Sequence, residues 1–361
     1  MMHTRRSVCG FFLTALGPFF VNRARALESP TKSRGLTVQI TETWAILDQH
    51  AEPLAFSPDG KLWFAGSQRE IFVYEGRRFV RKLAPVWIAT GAALRVSSDG
   101  KWIGTGGRIY QVSDAKELFV PRAEAFGALR EPGWEFANAV LSPDFSSCLA
   151  WLKFFPSRCC RERGHADKPS YSPPSPLFLF DTKTAKPEPV PIPSGDWHRG
   201  EFGALLLSEH FLVAGGTPQD SAIFSRKPLK HLRFLEIDGS PSGFLMSRDE
   251  QTLVATSRGR FLDVFSVPSF SRRAHIEVFP DGKWFSAVAL HPSLPIIAVS
   301  GWDPLLRVFS LAAPDAGRLV ATHPLGQANS LSFSPDGQTL LAATTRDGKH
   351  CVVQLSFTTK I

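Results

Sequence analysis

The chain has 361 residues, 43% of them hydrophobic, enough for a large buried core and too much for a small domain stapled by its 5 cysteines. Its formal charge of +8 suggests a polyanionic partner, but Arg5, Arg6, Arg23 and Arg25 stand in an acid-free stretch, 1–26, without which the +8 falls by four to +4. That remainder is of the size solubility asks for, and it argues against nucleic acid. With 29 Phe and 3 Met, the composition suits strands better than helices.

Residues 1–26 have the three parts of a secretory signal: a basic start at Arg5 and Arg6, an apolar run from Val8 to Val21, and Ala24-Arg25-Ala26 at signal-peptidase spacing. The run is too short for a stable bilayer helix and is weakened by Gly10, Gly17 and Pro18. Thr4-Arg5-Arg6-Ser7-Val8 resembles the twin-arginine motif, which carries folded proteins across the bacterial inner membrane. Cys9 and Gly10 depart from that motif, and an ordinary Sec signal containing Arg-Arg is the alternative. Either route implies a periplasmic or otherwise exported mature chain with no membrane span. Residues 27–35 read as a linker ahead of one domain, 36–361.

A repeat runs through that domain: apolar residues, a Ser-Pro-Asp-Gly-like turn, then a short apolar strand with a small residue inside it. The clearest copies are Leu54 to Ala65, turning at Ser57-Pro58-Asp59-Gly60, and Leu331 to Ala343, turning at Ser334-Pro335-Asp336-Gly337. Weaker copies turn at Ser97-Ser98-Asp99-Gly100, Ser142-Pro143-Asp144, Ser208-Glu209-His210, Ser247-Arg248-Asp249 and His291-Pro292-Ser293. Successive turns are 40, 45, 66, 39, 44 and 43 residues apart. A four-stranded propeller blade takes about 40–45 residues. The one long interval holds a Pro-, Arg- and Cys-rich insertion, 153–175, whose removal brings it back to the common period. The expected fold is therefore all-β, a seven-bladed β-propeller with the insertion in blade three.

Pro presets φ in such a turn, Asp bonds nearby backbone and Gly accepts positive φ. The strands that follow read Val213-Ala214-Gly215, Val254-Ala255-Thr256, Ile297-Ala298-Val299 and Leu341-Ala342-Ala343, where a small side chain lets neighbouring blades pack closely. A third strand follows and usually ends in an aromatic, as in Ile71-Phe72-Val73-Tyr74 and Leu177-Phe178-Leu179-Phe180-Asp181. Ser300-Gly301-Trp302-Asp303-Pro304-Leu305-Leu306-Arg307-Val308-Phe309 resembles the b–c turn and strand c of a WD repeat, with Asp303 on that family's turn Asp and Phe309 on its terminal Trp. The resemblance covers roughly residues 36–358. It is divergent, since no blade ends in Trp-Asp and the Gly-His before strand a is missing. A propeller of the Tyr-Val-Thr-Asn repeat type shares the Ser-Pro-Asp-Gly turn and is less favoured.

The chain stops soon after Cys351 to Phe357, which reads as strand c of blade seven. Leu36-Thr37-Val38-Gln39-Ile40-Thr41 alternates correctly to supply the missing outer strand and close the ring.

The insertion carries Arg158, Arg161, Arg163, Lys168 and Tyr171, a candidate arm for an acidic partner surface; the plain alternative is a solvated loop. Cys159, Cys160 and His165 make a poor metal site, because adjacent cysteines do not both reach one tetrahedral ion and no fourth ligand is evident. An oxidising compartment favours a disulfide from Cys148 to Cys159 or Cys160, while Cys351 reads as a buried apolar residue. Enzyme signatures are missing: no Gly-x-Ser-x-Gly elbow, no His-Glu-x-x-His and no Cys-x-x-Cys-His. His50, His198, His210, His231, His275, His291, His323 and His350 are scattered over the blades. The resulting expectation is a monomeric, non-catalytic interaction module for other exported or envelope proteins, with no cofactor, no metal and no catalytic residues. The alternative is a propeller enzyme or enzyme subunit, lactonase-like or quinoprotein dehydrogenase-like, with a metal or cofactor at the central channel.

Overall fold

The computed structural model describes residues 37–47, 52–67, 69–84, 86, 93–121, 134–154, 177–193, 201–217, 220–257, 260–279, 282–346 and 348–360. They form seven four-stranded antiparallel sheets, each a meander of strands a to d, arranged as the blades of a β-propeller. In blade one the strands are Leu54–Phe56, Leu62–Ser67, Glu70–Glu75 and Arg78–Leu83. The inner strands of blades two to seven are Leu94–Val96, Trp134–Leu141, Glu201–Leu207, Pro241–Met246, Phe285–Leu290 and Gln327–Phe333.

Strand b is apolar at successive positions because both of its faces are covered. In blade one Phe64 packs toward blade two with Leu94 and Ile103, while Trp63 and Ala65 pack toward blade seven with Leu341, Ala343 and Val352. Among the described residues the core has this form throughout: seven apolar clusters, each shared by two neighbouring blades, with no common centre. Cys351 is fully buried in the cluster between blades six and seven, as the sequence suggested.

Ring closure follows the expected route. Blade seven takes strands a to c from Gln327–Phe333, Thr339–Arg346 and Lys349–Lys360, and its outer strand from Thr37–Leu47. The two chain ends pair antiparallel, from Thr37 opposite Lys360 to Leu47 opposite Cys351. Arg346 adds a two-pronged ion pair to Glu42, at 3.0 and 2.7 Å, across 304 residues of chain.

The a–b turn is a hydrogen-bonded unit. Ser57 Oγ donates to Asp59 Oδ1 (2.6 Å) and accepts from the Leu62 N–H (2.9 Å); Asp59 Oδ1 also accepts from the Lys61 N–H (3.2 Å). Gly60, at φ +71°, donates its N–H to Ser57 O at 2.9 Å. The same Ser–Asp bond recurs at Ser97–Asp99, Ser142–Asp144, Ser247–Asp249 and Ser334–Asp336, 2.6–2.7 Å long. Successive turns also touch around the ring: a side chain on Gly60 would meet Pro335 Cδ at 3.6 Å, and one on Gly100 would meet Pro58 Cδ at 3.9 Å.

Blades four and six lack the Ser-x-Asp pattern, and other side chains complete their turns and tie them to neighbouring blades. Glu250 of blade five accepts from the Glu209 N–H (2.6 Å) and pairs with His210 Nδ1 (2.8 Å), standing in for the absent Asp. Arg226, itself buried, ties the same turn to blade three, donating to Ser208 O (3.0 Å) and to Ser147 Oγ (2.7 Å). In blade six His291 Nδ1 accepts the N–H groups of Ser293 and Leu294, and Nε2 bonds Gly337 O of blade seven at 3.1 Å.

The Ser hydroxyl is the largest influence holding the carboxyls of Asp59, Asp99, Asp249 and Asp336 below their ordinary value of 3.8. Their ionised form is favoured in the folded state, so they contribute stability above pH 3.8 that is lost as pH falls through the lowered values. Ser57→Ala or Ser334→Ala is expected to cost about 1–2 kcal/mol at neutral pH by leaving a backbone N–H unpaired. In urea unfolding the loss should shrink as pH falls through the lowered values, where protonation of the folded protein weakens the bond.

Candidate functional site

An antiparallel meander returns to the same side after every second strand. The a–b and c–d turns therefore share one face of the ring, and the b–c turns and d–a connections share the other. The first face is the one interlocked by the turns described above. The second holds the described surface features that suit a partner.

Blade six shows how this face is built. Strand b, Ile296–Gly301, and strand c, Leu305–Ser310, are joined by a turn that contains Trp302 and Asp303. Gly301 is required there, because a side chain would lie 2.2 Å from Phe279 Cζ and 2.6 Å from Trp284 O. The close approach lets the Trp302 N–H donate to Trp284 O at 3.1 Å. The two indoles then stack with centroids 6.2 Å apart and an interplanar angle of 27°. Trp284 is 50% exposed and Trp302 64%. Two tryptophans open to solvent side by side are unlike the scattered single apolar residues of an ordinary surface.

A rigid platform holds the pair. Asp303 is buried; Oδ1 accepts from the Leu305 N–H (3.3 Å) and Oδ2 pairs with Arg307 (2.6 Å). The Arg307 guanidinium lies 5.0 Å over the Phe279 ring, and Phe279 meets Phe285 edge-on at 5.4 Å. Asp303 sits in the b–c turn, as its match to the WD pattern implied, but its charged partner is Arg307 of strand c.

A second polar cluster lies on the outer strands of blade five. Asp263, on strand c (Phe261–Ser266), is buried and accepts from Arg272 (3.2 Å) and His275 Nδ1 (2.9 Å), both on strand d (Ser271–Glu277). Asp238 joins from the preceding connection, 3.4 Å from Arg272 and 3.6 Å from His275. Asp238, Asp263 and His275 are close enough to hold one cation, with ligand atoms all within 4.8 Å of one another. Arg272 already occupies the space between both carboxylates, so a metal has to displace a guanidinium to enter. The cluster is an ion-pair network that fastens strand d to strand c.

The sequence candidates fare unevenly. Arg158, Arg161, Arg163, Lys168 and Tyr171, and likewise Cys159, Cys160 and His165, lie outside the described residues. Of the strands that flank the insertion, strand b runs further than the sequence indicated, to Phe154, and strand c starts at Leu177 as read, so the connection is 155–176. Cys148 is a buried free thiol with Sγ 3.7 Å from Gly107 O, its pKa pushed up by burial. The described histidines do not converge on the ring axis: His210 and His291 belong to a–b turns, His231, His275 and His323 to outer strands, and His350 to strand c of blade seven.

The family of the WD domain, G-beta repeat, matches residues 317–352. That segment contains strand d of blade six, Leu319–Pro324, and strands a and b of blade seven, and enters its strand c. The ring is a WD-repeat-like propeller. Among solved structures it is similar to the crystal structure of the Cps50 (Swd1) β-propeller domain of Myceliophteria thermophila, with TM-score 0.65, 16% identity, and coverage of 89% of this chain and 100% of that one. At that identity the likeness is one of fold. No curated protein matches the chain.

Because the platform relies on a missing side chain, Gly301→Ala is expected to cost about 1–3 kcal/mol by forcing Phe279 and the Trp284 backbone apart. The loss should register in denaturant unfolding and, at the same time, as a changed environment of the exposed indoles in tryptophan fluorescence.

Proposed function

We propose that this WD-repeat-like propeller is an exported, non-catalytic interaction module that binds another exported or envelope protein through the face of its b–c turns and d–a connections. The observation that carries the reading is the exposed Trp284–Trp302 stack on a preorganised platform. Tryptophan is among the residues that dominate binding hot spots, and a rigid pair loses little conformational freedom on docking. The connection 155–176 leaves strand ends on the same face, so Arg158, Arg161, Arg163, Lys168 and Tyr171 are proposed as a second, electrostatic part of the interface. Among the described residues no helix is long and apolar enough to cross a membrane.

Export is proposed from residues 1–26, with the twin-arginine route favoured by Arg5-Arg6. The ring-closing strand begins at Thr37, downstream of the cleavage site proposed after Ala26, so removal of the signal leaves that strand whole. Arg5→Lys with Arg6→Lys is expected to hold the precursor in the cytoplasm in cell fractionation. Processing and export at the unaltered rate would assign the signal to the Sec route.

Replacing both Trp284 and Trp302 by Ala is expected to change stability by no more than about 0.5 kcal/mol, as for other exposed sites. The same change should weaken capture of the cognate envelope protein at least tenfold, measured by quantitative crosslinking and mass spectrometry against the parent protein; about 2 kcal/mol or more is typical of a hot-spot residue. An unchanged set of crosslinked proteins would remove the tryptophan face from the function.

A further inference from the structure

The inner strand of each blade has a sheet neighbour on one side only, so its other edge faces the ring axis. In blade three the Ser142 N–H donates to Ser147 O at 2.9 Å, which makes the neighbouring pair, Leu141 opposite Cys148, one whose backbone groups point away from strand b. The Leu141 carbonyl is thereby turned toward the axis. Arg95, on the inner strand of blade two, reaches across the blade interface and donates from Nη1 to that carbonyl at 3.0 Å. A guanidinium thus stands at the inner wall of the ring.

The repeat supplies six internal comparisons. Arg95 lies two residues before its turn and opposite Gly104; the matching residues of the other blades, by the same register, are Ala55, Val140, Leu206, Leu245, Ala289 and Ser332. All six are uncharged, so the ring closes without a cation at this level. Among the described residues Arg95 meets no carboxylate, and the Leu141 carbonyl is its one hydrogen-bond partner. Burial alone acts on the guanidinium, drawing its pKa below the usual arginine value with no acid opposing. A partly desolvated charge without a counter-charge is destabilising, and such groups concentrate at functional sites. With Nη1 engaged, Nε and Nη2 have no partner among the described residues, and Arg95 is only half-buried. Those two N–H groups form the fork that matches two oxygens of a carboxylate or phosphate.

We infer that Arg95 forms an anion-binding site at the inner wall of the ring, between blades two and three, for the oxyanion of a small ligand. The site is independent of the tryptophan face and does not depend on the nature of the protein partner.

The test uses the exported full chain, melted in rising succinate or inorganic phosphate at constant ionic strength, beside Arg95→Met and Arg95→Lys. The expected result is a saturable rise in Tm with one of the two anions, equivalent at one hundred times Kd to about a hundredfold shift in the folded-to-unfolded ratio. The shift should vanish in Arg95→Met and shrink in Arg95→Lys, which keeps the charge and loses the fork. Whichever anion acts identifies the ligand as carboxylate or phosphate. No saturable shift in the parent, or an equal shift in Arg95→Met, overturns the site and leaves a general effect of excluded salts. A readout that needs no variant is phenylglyoxal labelling of Arg95 followed by peptide mass spectrometry. At ten times Kd the bound anion leaves about a tenth of the arginine open, so labelling should slow about tenfold. An unchanged labelling rate in both anions overturns the proposal.

Discussion

The ladder between Thr37–Leu47 and Lys349–Lys360 is the contact on which the ring depends. Among the described residues each blade buries its two faces against its neighbours, and every core cluster is shared between two blades. A gap anywhere in the circle would expose two such faces at once. Closing it with a strand from the opposite end of the chain makes the last interface as continuous as the others, and Val38 accordingly takes its place in the cluster between blades six and seven. The Arg346–Glu42 pair adds direction to that closure, since a planar fork fixes register where a lone ammonium does not.

Within this frame the two faces of the ring have different physics. On one, Ser and Asp side chains satisfy the turn amides five times over, and the two nonconforming turns borrow Glu250 and Arg226, or use His291 as acceptor and bridge. Hydrogen bonds there run from blade to blade, so that face resists rearrangement. On the other, chain length varies without touching the turn locks, and apolar side chains are left open where Gly301 permits a close backbone approach. A fixed face and a variable face together suit a scaffold that presents a surface.

Much of the architecture was legible because each blade restates one local chemical problem. A turn that needs a hydroxyl, a carboxylate and positive φ draws on few residue types, so Ser, Asp and Gly mark the period even where neighbours diverge. Blades four and six were legible by position alone, because Glu250 of blade five, Arg226 from strand c of blade four and the ring of His291 complete their turns in place of the Ser-x-Asp pattern. Glu250 and Arg226 read as ordinary surface charges until the fold brings them to Glu209 and Ser147. The Trp284–Trp302 pair escaped notice for a similar reason: Trp302 reads as part of a turn, and only the contact at Gly301 shows that it emerges beside Trp284. Arg95 left a fainter trace, a charge two residues before a turn where the other copies have Ala, Val, Leu or Ser.

The direction of the closing ladder also sets how the ring meets tension. Thr37 and Lys360 are partners at one end of an antiparallel pair, so a pull on the two termini loads their hydrogen bonds one after another and peels the strand away. Heat or denaturant has to overcome the whole ladder together with the apolar cluster beneath it. The fold is thus a clasp that is strong when jostled and weak when unzipped, and a force applied through one terminus alone does not work the zipper.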